Sequence, residues 1–418
     1  MGFKENFEKY KLKELSDISS SKRIFASEYK EKGIPFYRSK EIIEKQSNKR
    51  ISNKLFISKE RYIEIKNKYG VPSCGDLLLT SVGTLGVPYL VKNEEFYFKD
   101  GNLTWFRNLK QINKSYLYYW FFSPEAKYQI TSKQIGSTQK ALTISNLNNF
   151  EILIPTRAIQ EKIVTILKSL DSKIEINNKI ISNLESQAQA IFKSWFVDFE
   201  PFQDGNFVES ELGMIPEGWE VRSLSDIAFF KNGLAMQKYR PEINEPSLPV
   251  LKIRELNSGS TDFSSDRCRT DIDDSVKVYD GDLIFSWSGT LSCKLWTGGN
   301  AGLNQHLFKV TSEKYEKWFN YSWVKFHMNE FIRIAQDKAT TMGHIKRSHL
   351  DEAKVLIPAI DIYGKIDKLM KPIIELIIKL GIQNTKLAEL RDALLPKLMA
   401  GEIDVSNIKI EGEEVKNE

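Results

Sequence analysis

Cysteine is scarce: Cys74, Cys268 and Cys293 are the only three in 418 residues. They are too few and too scattered for a disulfide framework or a four-cysteine zinc site. Long hydrophobic runs are missing as well. The longest unbroken aromatic and aliphatic stretch is Tyr116–Phe122, far short of the roughly 18 residues that would suggest a membrane span. The opening Met1-Gly-Phe-Lys-Glu-Asn6 has neither the apolar core of a signal peptide nor the hydroxyl that myristoylation needs at its sixth position. A reduced, soluble, cytoplasmic protein with no membrane partner is expected. Catalytic signatures are also absent. No Gly-x-x-x-x-Gly-Lys-Ser/Thr phosphate loop occurs, and no Asn/Asp-Pro-Pro-Tyr/Phe signature of an amino-methyltransferase. The four histidines, His306, His327, His344 and His349, all lie in the second half and form no His-Glu-x-x-His zinc pair.

What is present is ordinary globular composition, 41% hydrophobic and 28% charged, which excludes wholesale disorder. The net charge of +5 is unevenly spread. Residues 1–155 carry +10, residues 156–200 balance, residues 201–358 carry −3 and residues 359–418 carry −2. A strongly basic first segment suits an anionic partner such as nucleic acid, although solvated lysines would give the same balance.

The chain repeats itself at about half its length. Tyr10-Lys-Leu-Lys-Glu-Leu-Ser-Asp17 parallels Trp219-Glu-Val-Arg-Ser-Leu-Ser-Asp226. Gly75-Asp76-Leu77 and Gly83-Thr84-Leu85 parallel Gly281-Asp282-Leu283 and Gly289-Thr290-Leu291. Ile152-Leu-Ile-Pro155 parallels Val355-Leu-Ile-Pro358. Each copy opens with short apolar runs between turn formers, such as Leu77-Leu-Leu79 and Leu283-Ile-Phe285, which predicts a mixed, strand-rich domain. Each copy then becomes helical. Ile174, Asn177, Ile181, Leu184, Ala188, Ile191 and Trp195 step by three and four residues. Their mates are Ile377, Leu380, Asn384, Leu387, Arg391, Leu394 and Leu398. Such a stripe seeks a partner helix, and the polar members can fix register. An antiparallel pairing of the two stripes within the chain is expected, with Pro372 and Pro396 shortening or bending the second helix. From Ser172 to Phe196 a helix would span roughly 38 Å, near the ~34 Å of one DNA turn.

Two duplicated stretches carry side chains suited to DNA. In Ile34-Pro-Phe-Tyr-Arg38-Ser-Lys40 and Leu248-Pro-Val-Leu-Lys252-Ile-Arg254, two cations alternate after an apolar run, on one face of a strand or loop. The second stretch precedes the last strand. In one copy it holds Lys133, Ser137, Thr138, Gln139 and Lys140; in the other it holds Lys338, Thr340, Thr341, His344, Lys346 and Arg347. Cations, hydroxyls, amides and imidazoles of this kind position phosphates and read base edges. Ser81, Thr84, Ser286, Ser288 and Thr290 in the glycine turns are weaker candidates. Asp76 and Asp282 recur, but each follows glycine at the head of an apolar run, where closing a turn is the simpler role. The carboxylate-and-lysine cluster of a nuclease, Glu94, Glu95 and Lys99 after Asp76, is not duplicated. A standalone nuclease and a helical scaffold that reads no sequence remain as rival readings.

The pattern resembles the specificity subunits of type I restriction–modification systems over nearly the whole chain. The telling stretches are Ile215-Pro-Glu-Gly-Trp219, Leu224-Ser-Asp226, Thr341-Met-Gly-His-Ile-Lys-Arg-Ser-His-Leu350, Ile191-Phe-Lys-Ser-Trp-Phe-Val-Asp198 and Leu394-Leu-Pro-Lys-Leu-Met-Ala-Gly401. The first copy departs from it, with Tyr10 in place of Trp219 and a Gln139-Lys140 loop in place of the Met-Gly-His-Ile run. The resemblance implies an α+β, pseudo-twofold tandem of two target recognition domains separated by long helices that pair as an antiparallel coiled coil. Residues 1–155 would form the first recognition domain, 156–200 the first spacer helix region and 201–212 a linker. Residues 213–358 would form the second recognition domain, 359–405 the second helix region and 406–418 a polar tail. It implies a non-catalytic reader of a split site on double-stranded DNA, with two methyltransferase subunits and restriction/translocase subunits as partners. No cofactor is expected on this chain; S-adenosylmethionine, ATP and magnesium would belong to those partners.

Overall fold

The computed structural model describes residues 7–47, 51–136, 140–337 and 343–408, and within it the chain forms two compact units. Unit 1 is Met1–Asp171 with Glu389–Glu418, and unit 2 is Ser172–Ala388. Both are mixtures of helix and strand.

The buried apolar runs form the central strands. In unit 1, Leu77–Thr80 lies between Leu103–Arg107 and Pro88–Leu90, with Asp17–Ser19 beyond, all antiparallel. In unit 2, Leu283–Ser286 lies between Leu307–Thr311 and Ser292–Leu295, with Phe229–Asn232 beyond, again antiparallel. Successive strand residues face opposite sides of a sheet, so one apolar run serves two cores. Leu77 and Leu79 join the core that contains Trp120 and Phe150, while Leu78 joins that of Phe98 and Trp105. Leu283 and Phe285 likewise join the Trp318 core, while Ile284 joins that of Trp296. Each unit has a second four-stranded sheet containing one parallel pair, Ile34–Tyr37 with Tyr97–Phe98 and Ser247–Leu251 with Ala301–Leu303. A two-stranded ribbon closes each repeat, Glu8–Lys11 with Glu151–Ile154 and Glu220–Ser223 with Lys354–Ile357. Residues Phe207–Ser210, in the stretch expected as a linker, pair with Gly213–Pro216, at the start of the expected second domain, in a further hairpin.

Two helices of 40 residues, Arg157–Phe196 and Ile360–Met399, contribute a segment to each unit. Neither Pro372 nor Pro396 ends the second helix. Buried Met370 and Ile374 flank one proline and Leu395 and Leu398 the other, so packing offsets the missing hydrogen bond. In unit 1, Ile159, Ile163 and Leu167 pack with Leu395 and Leu398, and Arg391 pairs with Asp171 at 2.8 Å. In unit 2, Ala188, Phe192 and Phe196 pack with Ile366, Met370 and Ile374. In unit 1, Lys162 donates to the Ser406 carbonyl at 2.6 Å while Asp171 pairs with Arg391, so rising numbers on the first helix meet falling numbers on the C-terminal segment and the pairing is antiparallel. The same backbone position receives a helix side chain in each copy: Asn113 N–H donates to Gln160 Oε1 at 2.7 Å, and Glu316 N–H to the Tyr363 hydroxyl at 2.9 Å.

The expected stripe is correct at its polar seam and shifted at its end. Asn177 donates to Gln383 and Asn384, each at 2.9 Å, and Asn384 donates to Asn178 at 2.9 Å. Ile181, Leu184, Ile191 and Trp195 are partly buried against the core, and Ile377 and Leu398 are buried. Leu394 packs against the unit 1 core, and Ile174, Leu380 and Leu387 are half-buried. The deepest positions at the end of the first helix are Phe192 and Phe196. A 3.6-residue turn drifts about 20° per heptad from a 3.5 repeat, which moves the buried line one residue along. Among the described residues no helix is long and apolar enough to cross a membrane.

Asn177 is fully buried, and its Oδ1 has no hydrogen-bond partner among the described residues. Asn177→Leu removes the donor to the half-buried Asn384 amide oxygen, so the opening free energy of unit 2 helix amides should fall by about 1 kcal/mol. Asn177→Leu with Asn384→Leu should recover part of that loss. Hydrogen exchange of the full chain measures both.

Candidate nucleic-acid interface

In both units the glycine turn after the central strand is hydrogen-bonded to the segment that leads into the last strand. In unit 1, Gly83 N–H donates to the Lys140 carbonyl at 3.0 Å, and Leu142 N–H to the Ser81 carbonyl at 2.9 Å. In unit 2, Gly289 N–H donates to the Gly343 carbonyl at 2.9 Å, and Ile345 N–H to the Trp287 carbonyl at 3.0 Å. Val82 pairs with Ala141, and Ser288 with His344, as isolated antiparallel bridges. The two glycines have φ of +79° and +64°, and a Cβ on Gly83 would meet nothing within 4 Å. Backbone conformation, rather than space, therefore requires glycine there.

The turn that enters the neighbouring strand joins each site. In unit 1 the Asn102 carbonyl accepts from Ser81 N–H at 2.8 Å and from the Ser39 hydroxyl at 3.0 Å. In unit 2, Ser288 Oγ and His306 Nδ1 are hydrogen-bonded at 3.0 Å. Trp287 stacks on Phe308 with 5.7 Å between centroids, and the Arg347 guanidinium lies 5.5 Å from the same ring. Hydroxyl, imidazole, indole and cation thus meet on one scaffold in unit 2. Unit 1 offers Ser81, Val82 and exposed Lys140 on the same backbone.

The predicted cations divide into two groups. Arg38 and Lys252 do not lie on a strand face; each is the residue before a helix, Ser39–Gln46 or Ile253–Ser258. Tyr37 and Leu251 end their strands, and the carboxylates of Glu41 and Glu255 reach back to cap the helices at 2.8 and 3.2 Å. Both carboxylates are buried and need cations: Arg38 reaches Glu41 at 2.5 Å and Arg254 reaches Glu255 at 2.6 Å. Lys252 pairs with Asp266, and together with Arg240 and Arg254 it holds that carboxyl below its ordinary range. Lys133 donates to the Asn149 carbonyl at 3.0 Å and lies over the Phe150 ring. Lys40, Lys140, His344, Lys346 and Arg347 are exposed, and Arg347 also donates to the Phe230 carbonyl at 3.1 Å. Ser137, Thr138, Gln139, Lys338, Thr340 and Thr341 lie outside the described residues.

Sequence reasoning passed over Trp287 and His306, and also Arg240 and Arg267, which line a cleft with Gln237, Lys252, Asp266 and Asn304. Nothing in local spacing marked them, because Trp287 meets His306 across paired strands and Arg240 meets Arg267 only at the cleft. Asp76 and Asp282 close turns: each receives a backbone N–H three residues upstream, from Ser73 or Tyr279, at 2.9 Å. Asp76 also takes the Trp105 indole N–H at 2.9 Å, and Asp282 pairs with Lys309 at 2.7 Å. No group of three or more His, Cys, Asp or Glu among the described residues is placed to hold a metal ion.

A sequence model of a protein family, described as the type I restriction modification DNA specificity domain, matches twice, over residues 4–186 and 216–390. The type I restriction enzyme MjaIX specificity subunit of Methanocaldococcus jannaschii is 32% identical over 355 residues, covering 80% of this chain and 79% of that one. The HindI specificity subunit of Haemophilus influenzae is 23% identical over 339 residues, covering 66% and 74%. Among solved structures, a type I restriction–modification S subunit from M. genitalium shares the fold, with a TM-score of 0.55 and 14% identity. That alignment covers 94% of this chain and 96% of the other.

The division of cations predicts two phenotypes. Arg38→Ala leaves the buried Glu41 carboxylate short of a partner and should destabilise unit 1 by about 2 kcal/mol. Lys140→Ala and Lys346→Ala should change stability by less than about 0.5 kcal/mol. Each should instead lower the slope of log affinity against log salt by about one for duplex DNA. Thermal melting and salt titrations of duplex binding check the two arms.

Proposed function

The chain belongs to the type I restriction–modification DNA specificity family, and from that premise we propose that its two units read two unlike halves of one split DNA target. The observation that carries this reading is the duplicated turn and return segment. Its backbone is hydrogen-bonded alike in both units, but it carries half-buried Val82 and exposed Lys140 in one and half-buried Trp287 and His306 with exposed His344 in the other, while Ser81 and Ser288 lie buried beneath. Identical scaffolds with different donors, acceptors and apolar surfaces select different base edges. Residues 1–155 and 213–358 act as the recognition domains, and the helix regions 156–200 and 359–405 hold them.

In this reading the chain performs no covalent step. Two methyltransferase subunits dock on the assembly, and restriction/translocase subunits join them in the cytoplasm. Those partners bind S-adenosylmethionine, ATP and magnesium, methylate adenine and cut DNA. The carboxylates Asp76 and Asp282 are committed to turns, which argues against a standalone nuclease. A scaffold without sequence preference would have no use for unlike side chains on a shared turn.

Methylome sequencing of cells carrying the chain with its methyltransferase should give a two-part, asymmetric motif with the modified adenines in unlike halves. A palindromic motif would contradict the assignment of different readers to the two units.

A further inference from the structure

Phe263 is the most exposed large apolar side chain among the described residues, with its ring wholly in solvent. It stands on the loop between the helix Ile253–Ser258 and the strand Arg267–Arg269. The loop beneath it is braced. Asp262 Oδ1 accepts from the Ser264 N–H at 2.7 Å and from its hydroxyl at 2.6 Å. Asp262 N–H donates to Ser265 Oγ at 3.0 Å, and Ser265 N–H to the Asp262 carbonyl at 3.0 Å. Ser265 Oγ then donates to Glu255 Oε1 at 3.2 Å, and Arg254 Nη1 reaches Ser264 Oγ at 3.3 Å. The buried Glu255 therefore anchors both the aromatic tip and the neighbouring guanidinium.

Single exposed apolar residues are ordinary on protein surfaces. This one differs because hydrogen bonds fix the residues on both sides of it beside a concentration of cations. Arg254 is mostly exposed, and Arg240, Lys252 and Arg267 line the adjoining cleft, so that four cations stand with three acids, Asp262, Asp266 and the buried Glu255. The region from 201 to 358 is acidic on balance, and here cations outnumber acids by one. A rigid apolar probe flanked by cations complements a polyanion that offers apolar surfaces between its charges. Duplex DNA has that chemistry.

We propose that Phe263 is a base-contacting residue of unit 2. Its ring packs on an apolar base surface, either a thymine methyl group in the groove or the face of a base unstacked at a kinked step. Arg254 engages the adjacent phosphate. The inference rests on the reading of unit 2 as a DNA reader and names a residue that decides its specificity.

The test uses the full chain assembled with its methyltransferase subunits and a duplex library with a randomised core. Wild type should enrich a two-part motif. Phe263→Ala should keep the first half, lose preference at one or two positions of the second, and bind the wild-type optimum about tenfold more weakly. Phe263→Trp should retain most of the preference, and unchanged melting of both variants guards against a folding effect. Uracil in place of thymine at the affected position should reproduce the loss if the contact is the methyl group, and should leave binding intact if it is a base face. An unchanged motif and affinity for Phe263→Ala overturns the assignment and leaves unit 2 as a reader. Loss of assembly with an unchanged motif overturns it in favour of a protein contact. A wild-type complex that enriches no motif removes the DNA reading itself, and the inference with it.

Discussion

Two backbone hydrogen bonds in each unit, between the glycine turn and the return segment, determine what can face a ligand. They run from Gly83 and Leu142 in one unit and from Gly289 and Ile345 in the other. Backbone pairing fixes geometry without specifying side chains. The residues carried on it are free to differ, and Val82 against Ser288 and Ala141 against His344 show that they do. The central strands Leu77–Thr80 and Leu283–Ser286 hold this arrangement in place, because each is buried on both faces and cannot slip register without exposing a core.

Charge follows a second rule. A buried carboxylate must be paired, so Glu41 and Glu255 take Arg38 and Arg254 as structural partners. Lys140 and Lys346 carry no such obligation and are exposed, which leaves them for the proposed phosphate contacts. Arg254 holds Glu255 through Nε and Nη2 and has Nη1 directed to the loop surface at Ser264. The net charge of a segment therefore describes its DNA-binding surface poorly. The acidic second half brings Arg240, Lys252, Arg254 and Arg267 into one region, where they outnumber Asp262, Asp266 and Glu255 by one.

Much of the architecture was legible in the sequence because duplication supplies an internal alignment. Matching runs located the paired cores, and the three-four stripe located the helix pairing down to Asn177 and Asn384. Two things were not legible. Arg38 and Lys252 read as a strand or loop face because the apolar run before them looked continuous with it; the capping carboxylate three residues later was the overlooked sign of a helix start. Trp287 and His306 converge only through the pairing of the strands beside them, and no local spacing reports a contact made across strands.

The central claim is that one turn scaffold, used twice with different side chains, faces the two halves of the target. A structure of the assembled complex on its own methylated sequence tests it directly. The account predicts base edges of one half beside residues 81–83 and 140, and base edges of the other beside residues 287–289, 306 and 344. DNA lying against other faces of both units, with these turns in open solvent, would contradict it.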